Sequence, residues 1–398
     1  MSQQVLLTPT IITKETLVIL ENNLVMANRV NRKFENQFVK IGSSLTIRKP
    51  NQFSIRTGAG LQVQNIAEPS VNITIDNQFG VDFQFTSQDL TLTIEEFSER
   101  YVKPAAAQIA NQLDAYVMAN VTSISNFVGS SGTLPSSFAL GPALVGRRMD
   151  ENSAPQDNRT LVLNPASYWS LAAGQVGLFV MPTAKDALVK GYLATLGNYE
   201  VYMDQNVVSL SGIANKGSTT YCITTAQGNG NTTTIYGGST DTWAMGEVFT
   251  VAGVYNVNPR SKVSTGVLKN FIVTATTFTA ATTSWVVTFS PTLVTSGPYQ
   301  NASGPMSSAA AVVWQTGTSA AANGPQNIAF TRDAFGMVMV PLEIPQGVDF
   351  AARETYRNIS IRLIRAYDIN NDVFPARLDV LQGDTVYYDE LACRLGGA

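Results

Sequence analysis

The chain has 398 residues, of which 44% are hydrophobic and only 14% charged, with a net charge of −3 and no histidine. Soluble domains average about 25% charged residues, so a surface this poor in charge must be neutral and polar or be covered, and packing against copies of itself would cover it. The absence of a basic run excludes an electrostatic grip on nucleic acid, and the absence of histidine removes the commonest general base and transition-metal ligand.

At this length two or three compact units are expected, at roughly 100–200 residues each. No window of about 18 apolar residues occurs, so no membrane span is expected. The opening Met1-Ser2-Gln3-Gln4-Val5-Leu6-Leu7 lacks the basic flank and apolar run of a signal peptide, which points to the cytoplasm. There Cys222 and Cys393 are expected as free thiols. Triplets such as Asn72-Ile73-Thr74 and Asn358-Ile359-Ser360 are then chance matches to a glycosylation signal.

In chain order, residues 8–31 place Leu17, Leu20, Leu24, Ala27 and Val30 at helical spacing. Such a helix fits a core element or an arm on a neighbouring subunit. Ser44-Leu45-Thr46-Ile47-Arg48 reads as a strand stopped by Lys49-Pro50, and Val71 to Asp76 alternates as a second. Between them lies a Gly-, Gln- and Ser-rich stretch that can bury little, as in a long protruding hairpin. Asn77 to Gly80 is expected to turn before another alternating strand, Val81 to Phe85.

From Ser87 the pattern becomes helical. Glu95, Glu96 and Glu99 fall in the first turns, where the helix dipole favours acids. Phe97, Tyr101, Ala105, Ile109, Leu113, Val117 and Val121 step by four along one face, and Pro104 within them predicts a kink. Residues 138–207 read as α/β: a helix from Pro142 to Met149, a buried strand Arg159–Leu163, a helix started by Asn164-Pro165, and a strand Tyr199–Met203.

From about 210 to 327 the composition shifts to Thr, Ser, Gly, Ala and Val. Strands are expected at Trp243–Val254, Phe271–Thr274 and Ser284–Phe289, which predicts a separate all-β barrel or sandwich inserted in the α/β pattern. That pattern resumes at Ile328-Ala329-Phe330, and strands follow at Asn358–Leu363 and Arg377–Leu381. No tandem repeat occurs, which argues against a solenoid. The fold class is α+β.

Catalytic constellations are thin. There is no phosphate-binding Gly-x-x-x-x-Gly-Lys motif, and Gly58-Ala59-Gly60 lacks the third glycine of a dinucleotide loop. Glu95 and Glu96 are adjacent on a helix, so they diverge. Asp368-Ile369-Asn370-Asn371-Asp372 spaces oxygens like a calcium loop, but Val373 stands where the turn needs glycine and Pro375 follows. An Asx turn between strands is the simpler reading. No catalytic residue, cofactor or metal site is expected.

An ordered set of segments resembles tailed-phage coat proteins of the podovirus type, those with a domain inserted in the capsid fold. They are Gly42–Pro50, Asp89 through Asp114, Arg159–Pro165, Val251–Pro259, Ser264-Thr265-Gly266, Tyr356–Arg362, Tyr367-Asp368-Ile369 and Arg377–Leu381. The resemblance implies an N-terminal arm at 1–35, an extended loop with flanking strands at 36–87 (the loop itself 42–76), and a peripheral-domain spine helix at 88–137. It further implies an axial domain at 138–209 and 328–355, the inserted β-barrel at 210–327, and peripheral strands at 356–398.

The implied function is a major capsid protein, not an enzyme, assembling as hexamers and pentamers into an icosahedral shell around packaged double-stranded DNA, in the cytoplasm of a host bacterium. The extended loop begins too early to leave room for a fused scaffold, so a separate scaffolding protein is implied, with a portal at one vertex and a decoration protein as an optional partner. A surface-layer or adhesin-like protein and an encapsulin-type nanocompartment are the alternatives. For inter-subunit contact the candidates are Arg48, Lys49 and Arg56 on the loop against Glu95, Glu96 and Glu99 at the start of the spine; two solvated faces explain the same charges.

Overall fold

The computed structural model describes residues 9–33, 44–61, 63–64, 68–86, 101–175, 193, 195–210, 220–239, 241–275, 278–279, 283–316, 324–348, 350–356 and 359–396. The chain forms two compact units. The first is drawn from Met1–Arg48, Ser70–Val117 and Phe335–Thr385, the second from Lys49–Pro69, Met118–Ala334 and Val386–Ala398.

In the first unit, β3 (Asn77–Thr86), β17 (Phe335–Met339), β18 (Phe350–Tyr356), β19 (Ile359–Arg365) and β20 (Val373–Val386) make an antiparallel sheet around the long β20. Helix α1 (Pro9–Asn23) packs on β18 and β19 and buries Ile12, Leu17 and Leu20. The helix expected through Val30 ends at Asn23, although Leu24, Met26, Ala27 and Val30 remain buried. Asp114 accepts the N–H groups of Val25 and Ala27 at 2.6 and 2.8 Å, and the Asn28 amide donates to the carbonyls of Glu21 and Leu24, both at 3.0 Å. These side chains offer the backbone partners that a further helical turn would have supplied. Within the chain, Ile12, Leu17, Leu20, Leu24, Met26, Ala27 and Val30 are all buried.

The turn expected at Asn77–Gly80 is instead the beginning of β3, because β20 is long enough to pair it from Asn77↔Gln382 to Thr86↔Val373. A Cβ on Gly80 would lie 2.5 Å from Asp379 Oδ1, so this glycine marks a close approach and not a turn. Asp379 in turn accepts Arg362 at 2.7 Å.

Helix α2 (Lys103–Ala119) follows a π-helical turn at Tyr101–Val102 and carries Pro104 in its first turn, where the missing N–H costs little. Ala105, Ile109, Leu113, Val117 and Val121 are buried as their spacing predicts. Tyr101 departs from that prediction at 44% exposed, its ring edge-on to Phe85 at 5.0 Å. The described helix is about 25 Å long; its expected first turns, with Phe97, lie outside the described residues. β1 (Ser44–Arg48) and β2 (Ser70–Thr74) form an antiparallel hairpin whose Leu45 and Ile73 pack with Val338.

Among its described residues the second unit contains two six-stranded sheets and a two-stranded one. One runs β4 (Phe127–Val128), β21 (Ala392–Leu395), β16 (Asn327–Thr331), β5 (Arg159–Leu163), β7 (Tyr199–Met203), β6 (Thr195–Leu196), with β4–β21 and β5–β7 parallel. Every residue of β5, β16 and β21 is buried, as in a strand covered on both faces. Helix α3 (Pro142–Glu151) starts on proline as expected. Helix α4 (Pro165–Gln175) is capped by Asn164, whose Oδ1 accepts the Ser167 N–H at 2.8 Å.

The other sheet is all-β and lies within the expected insertion. Its order is β15 (Val312–Trp314), β11 (Val248–Val257), β12 (Ser264–Val273), β14 (Ser284–Leu293), β9 (Gly230–Tyr236), β8 (Cys222–Ile223). Hydrogen bonds from Ile223 N to Ala310 O, Ala309 N to Ile223 O and Val312 N to Tyr221 O join the two edges, so the sheet closes on itself as a barrel. Closure removes the exposed edges of an open sheet. The strand expected over Trp243–Val254 is two pieces, because a turn at Gly246 separates β10 (Thr242–Trp243), paired with β13 (Phe278–Thr279), from β11. The barrel is filled by aromatic side chains, with Trp243 stacked on Trp314 at 5.0 Å and Phe249, Phe271 and Phe289 in mutual contact.

Candidate functional site

The most exposed described segment is the tip of the β1–β2 hairpin. Lys49 N donates to Pro69 O at 2.7 Å and so continues the ladder beyond the strands. Further out, Ser54 and Gln64 bond reciprocally, with Ser54 N to Gln64 Oε1 at 2.9 Å and Gln64 Nε2 to Ser54 O at 2.6 Å. These bonds link the two sides of the tip, whose residues from Phe53 to Leu61 are exposed. It presents Phe53, Ile55, Leu61 and Val63 at 64, 95, 85 and 82% exposure. Four large apolar side chains are thus open to solvent on one loop, more than scattered single exposures on a surface.

The loop charges are placed differently from one another. Arg48 is exposed at the end of β1. Lys49 lies over the Tyr388 ring, 4.9 Å from its centre. Arg56 turns back on its own loop and donates to the carbonyls of Gly58 and, at 3.1 Å, Gly60. Glu95, Glu96 and Glu99 lie outside the described residues. The root of the loop is tied down by residues that sequence reasoning missed. Tyr299 OH donates to Asn51 Oδ1 at 3.3 Å, and Lys262 Nζ donates to Gln52 Oε1 at 3.2 Å. Nothing in the spacing of these residues, more than 200 positions apart, announces the contact.

A second concentration of polar side chains lies where the barrel meets the α/β sheet. Arg394 on β21 donates to Gly246 O, Arg148 on α3 to Leu268 O at 3.3 Å, Asn270 to Phe127 O at 2.8 Å and Asn258 to Glu151 O at 2.8 Å. Burial pulls the Arg394 and Arg148 guanidiniums below the usual arginine range, Arg394 to about 9. Charges this deep are retained because they satisfy backbone carbonyls that the barrel leaves open.

At the β19–β20 turn, Asp368 accepts the Asn370 N–H at 2.9 Å and the Asn371 amide at 2.8 Å, an Asx turn as expected. Both cysteines are free thiols. No helix among the described residues is long and apolar enough to cross a membrane.

Comparison with known proteins gives these features a common origin. The model of the P22 coat protein family (gene protein 5) matches residues 1–393. Among solved structures, a chain from Mycobacterium phage Che8 aligns over 94% of this chain and 92% of its own, at 12% identity and a TM-score of 0.52. The capsid of Cyanophage P-SCSP1u aligns over 93% and 85% at 11% identity and TM-score 0.44, and the mature capsid of bacteriophage PhiM1 over 89% and 82% at 8% and 0.45. No curated protein sequence matches. The match along nearly the whole sequence, in a chain whose α+β fold carries an inserted closed sheet, favours neither the surface-layer nor the nanocompartment reading. The chain belongs to the P22 coat protein family and is a tailed-phage major capsid protein that forms the shell.

Proposed function

We propose that residues 42–76 are the extended loop by which one subunit lies over the next in the shell. The observation that carries this reading is the hairpin tip, where Ser54 and Gln64 bond reciprocally while Phe53, Ile55, Leu61 and Val63 are exposed. Burying four such side chains on a neighbour contributes roughly 1.5–3 kcal/mol each, before the cost of association. Arg48, Lys49 and Arg56 add a weaker term against Glu95, Glu96 and Glu99 of the adjacent subunit. At about 0.2–1 kcal/mol per exposed pair, that term sets register more than strength.

In this reading 1–35 is the arm, 88–137 the spine, 138–209 with 328–355 the axial domain, 210–327 the inserted domain and 356–398 the return to the peripheral domain. Hexamers and pentamers assemble in the host bacterial cytoplasm on a separate scaffolding protein, with a portal at one vertex. Double-stranded DNA is enclosed and not specifically bound, a decoration protein is an optional outer partner, and the chain catalyses no reaction on another molecule.

The test is assembly with a scaffolding partner, read by electron microscopy. Replacing Arg48, Lys49 and Arg56 by Glu should leave a folded subunit that fails to form shells, and reversing Glu95, Glu96 and Glu99 as well should restore part of the yield. Normal shells from the triple reversal at low salt would limit the loop to a steric role. Normal shells from Ile55→Ser with Leu61→Ser would remove the reading altogether.

A further inference from the structure

Two Asn-Gly pairs occur in the sequence, Asn229-Gly230 and Asn323-Gly324. Asn323 lies outside the described residues, whereas Asn229 is exposed at the point where β9 begins. Asn229 Oδ1 accepts two donors from Thr295, the backbone N–H at 3.0 Å and the Oγ1 hydroxyl at 2.9 Å. Thr295 stands just beyond β14, whose Leu293 pairs with Gly230, so the side-chain carbonyl extends the β9–β14 ladder. Two donors converging on one carbonyl oxygen draw electrons from its carbon, as they do in an oxyanion hole.

The peptide group that follows is polarised as well. Gln227 Nε2 donates to the Asn229 main-chain oxygen at 3.2 Å, and the pull on that oxygen makes the Gly230 N–H more acidic. A Cβ on Gly230 would lie 2.6 Å from the same Nε2, so the glutamine amide packs where glycine leaves room. The Gly230 nitrogen and Asn229 Cγ belong to consecutive residues. A bond between them closes a five-membered ring, with no approach needed from elsewhere in the chain and no side chain on Gly230 to crowd it.

We propose that Asn229 is a site of self-modification, deamidating through a cyclic imide under the joint pull of Thr295 and Gln227. Hydroxide from the solvent removes the Gly230 N–H proton. The nitrogen electron pair attacks Asn229 Cγ, and the C=O electrons move to Oδ1, between the two Thr295 donors. As the carbonyl re-forms, the Cγ–Nδ2 bond breaks, and Nδ2 takes a proton from water to leave as ammonia, which returns the hydroxide. A second water adds to one imide carbonyl and breaks its bond to nitrogen, which takes up a proton of that water. Opening at Cγ gives aspartate and opening at the main-chain carbonyl gives isoaspartate. Carboxamide plus water thus give carboxylate plus ammonium, with no redox change.

The change falls at a joint of the barrel. The segment before Asn229 is held by Gln227 N to Met306 O and Met306 N to Gln227 O, both at 2.9 Å, and the segment after it enters β9. Either product adds a negative charge there. Isoaspartate also lengthens the main chain by one methylene between these two anchor points, which displaces Gly230 from Leu293 and weakens the ladder.

The experiment uses the unassembled full chain, so its outcome is independent of how the shell is built. The protein is incubated at about pH 8.5 in ordinary water and in heavy-oxygen water, and near-ultraviolet circular dichroism of the Trp243, Trp285 and Trp314 cluster reports that the barrel is folded. Tryptic peptide 217–260 should gain about 1 Da in the first and about 3 Da in the second, as two isomeric products whose fragmentation places the gain at Asn229. Gly230→Ala should slow the gain. Thr295→Val removes one donor and keeps the backbone N–H, and should slow it several-fold, less than a lost donor costs in a dry active site. Folded protein that shows no gain at Asn229, while a synthetic peptide of residues 225–234 reacts in the same buffer, overturns the proposal. A faster gain in folded Thr295→Val overturns the activating role of Thr295.

Discussion

Arg394 donates from both terminal guanidinium nitrogens to one acceptor, the carbonyl oxygen of Gly246, at 2.9 and 3.0 Å. The arginine is fully buried and lies in the C-terminal strand, while the glycine opens the barrel's long strand pair 148 positions earlier. Arg394→Ala leaves that carbonyl unpaired and a cavity beside Phe127, and should cost about 3 kcal/mol or more in urea unfolding of the subunit. Arg394→Met fills most of the volume and removes a desolvated charge, so its cost should be clearly smaller. An alanine variant within about 0.5 kcal/mol of the parent would show that the clamp contributes nothing.

Stability should fall at alkaline pH, and one thiol should account for part of the fall. Burial pushes the Cys393 thiol from 9.0 up to about 12 and the Tyr199 hydroxyl from 10.0 up to about 12. The unfolded chain therefore releases these protons first. Stability from the two groups is complete below about pH 9 and is lost as pH rises toward about 12. Arg394 acts with opposite sign: its folded pKa is depressed to about 9 from 12.5, so it regains stability over the same window and offsets part of the loss. Melting midpoints taken between about pH 8.5 and 10.5 should drop less in Cys393→Ala than in the parent. Equal drops would exclude the thiol as a contributor.

Gly383 is irreplaceable for a reason of space. A Cβ there would lie 1.9 Å from the Thr74 carbonyl oxygen, a backbone atom that cannot swing aside. Gly383→Ala should destabilise the subunit by more than about 4 kcal/mol and yield mostly insoluble protein. Gly60→Ala, on the exposed hairpin where a Cβ meets nothing within 4 Å, should express and melt like the parent. The comparison is read from soluble yield and thermal midpoint.

Residues 210–327 expressed alone should fold. The closed sheet and its buried Trp243, Phe249, Phe271 and Phe289 supply a core of their own. The isolated fragment loses Arg394 at Gly246 O and Phe127 against Val248 and Ile272. It should therefore show β-type circular dichroism and a cooperative melt at a lower midpoint than the full chain. A random-coil spectrum would reject independent folding.

The sequence determined by itself whatever depends on near neighbours. The alternation from Val71, the proline start of α3, the Asn164-Pro165 start of α4 and the buried run of β5 each express a local period or cap, and all were legible. So was the inserted β region, because its shift to Thr, Ser and Gly is compositional. What tertiary structure alone decided is which distant group meets which. α1 stops at Asn23 because Asp114, some 90 positions on, takes the next amides. Asn77–Gly80 is strand because β20 offers a partner across the whole of it. The clamp of Arg394 on Gly246 likewise carries no local signature. Hydrogen bonds and close contacts of this kind are satisfied across space, and a chain read residue by residue holds no record of the distance between its ends.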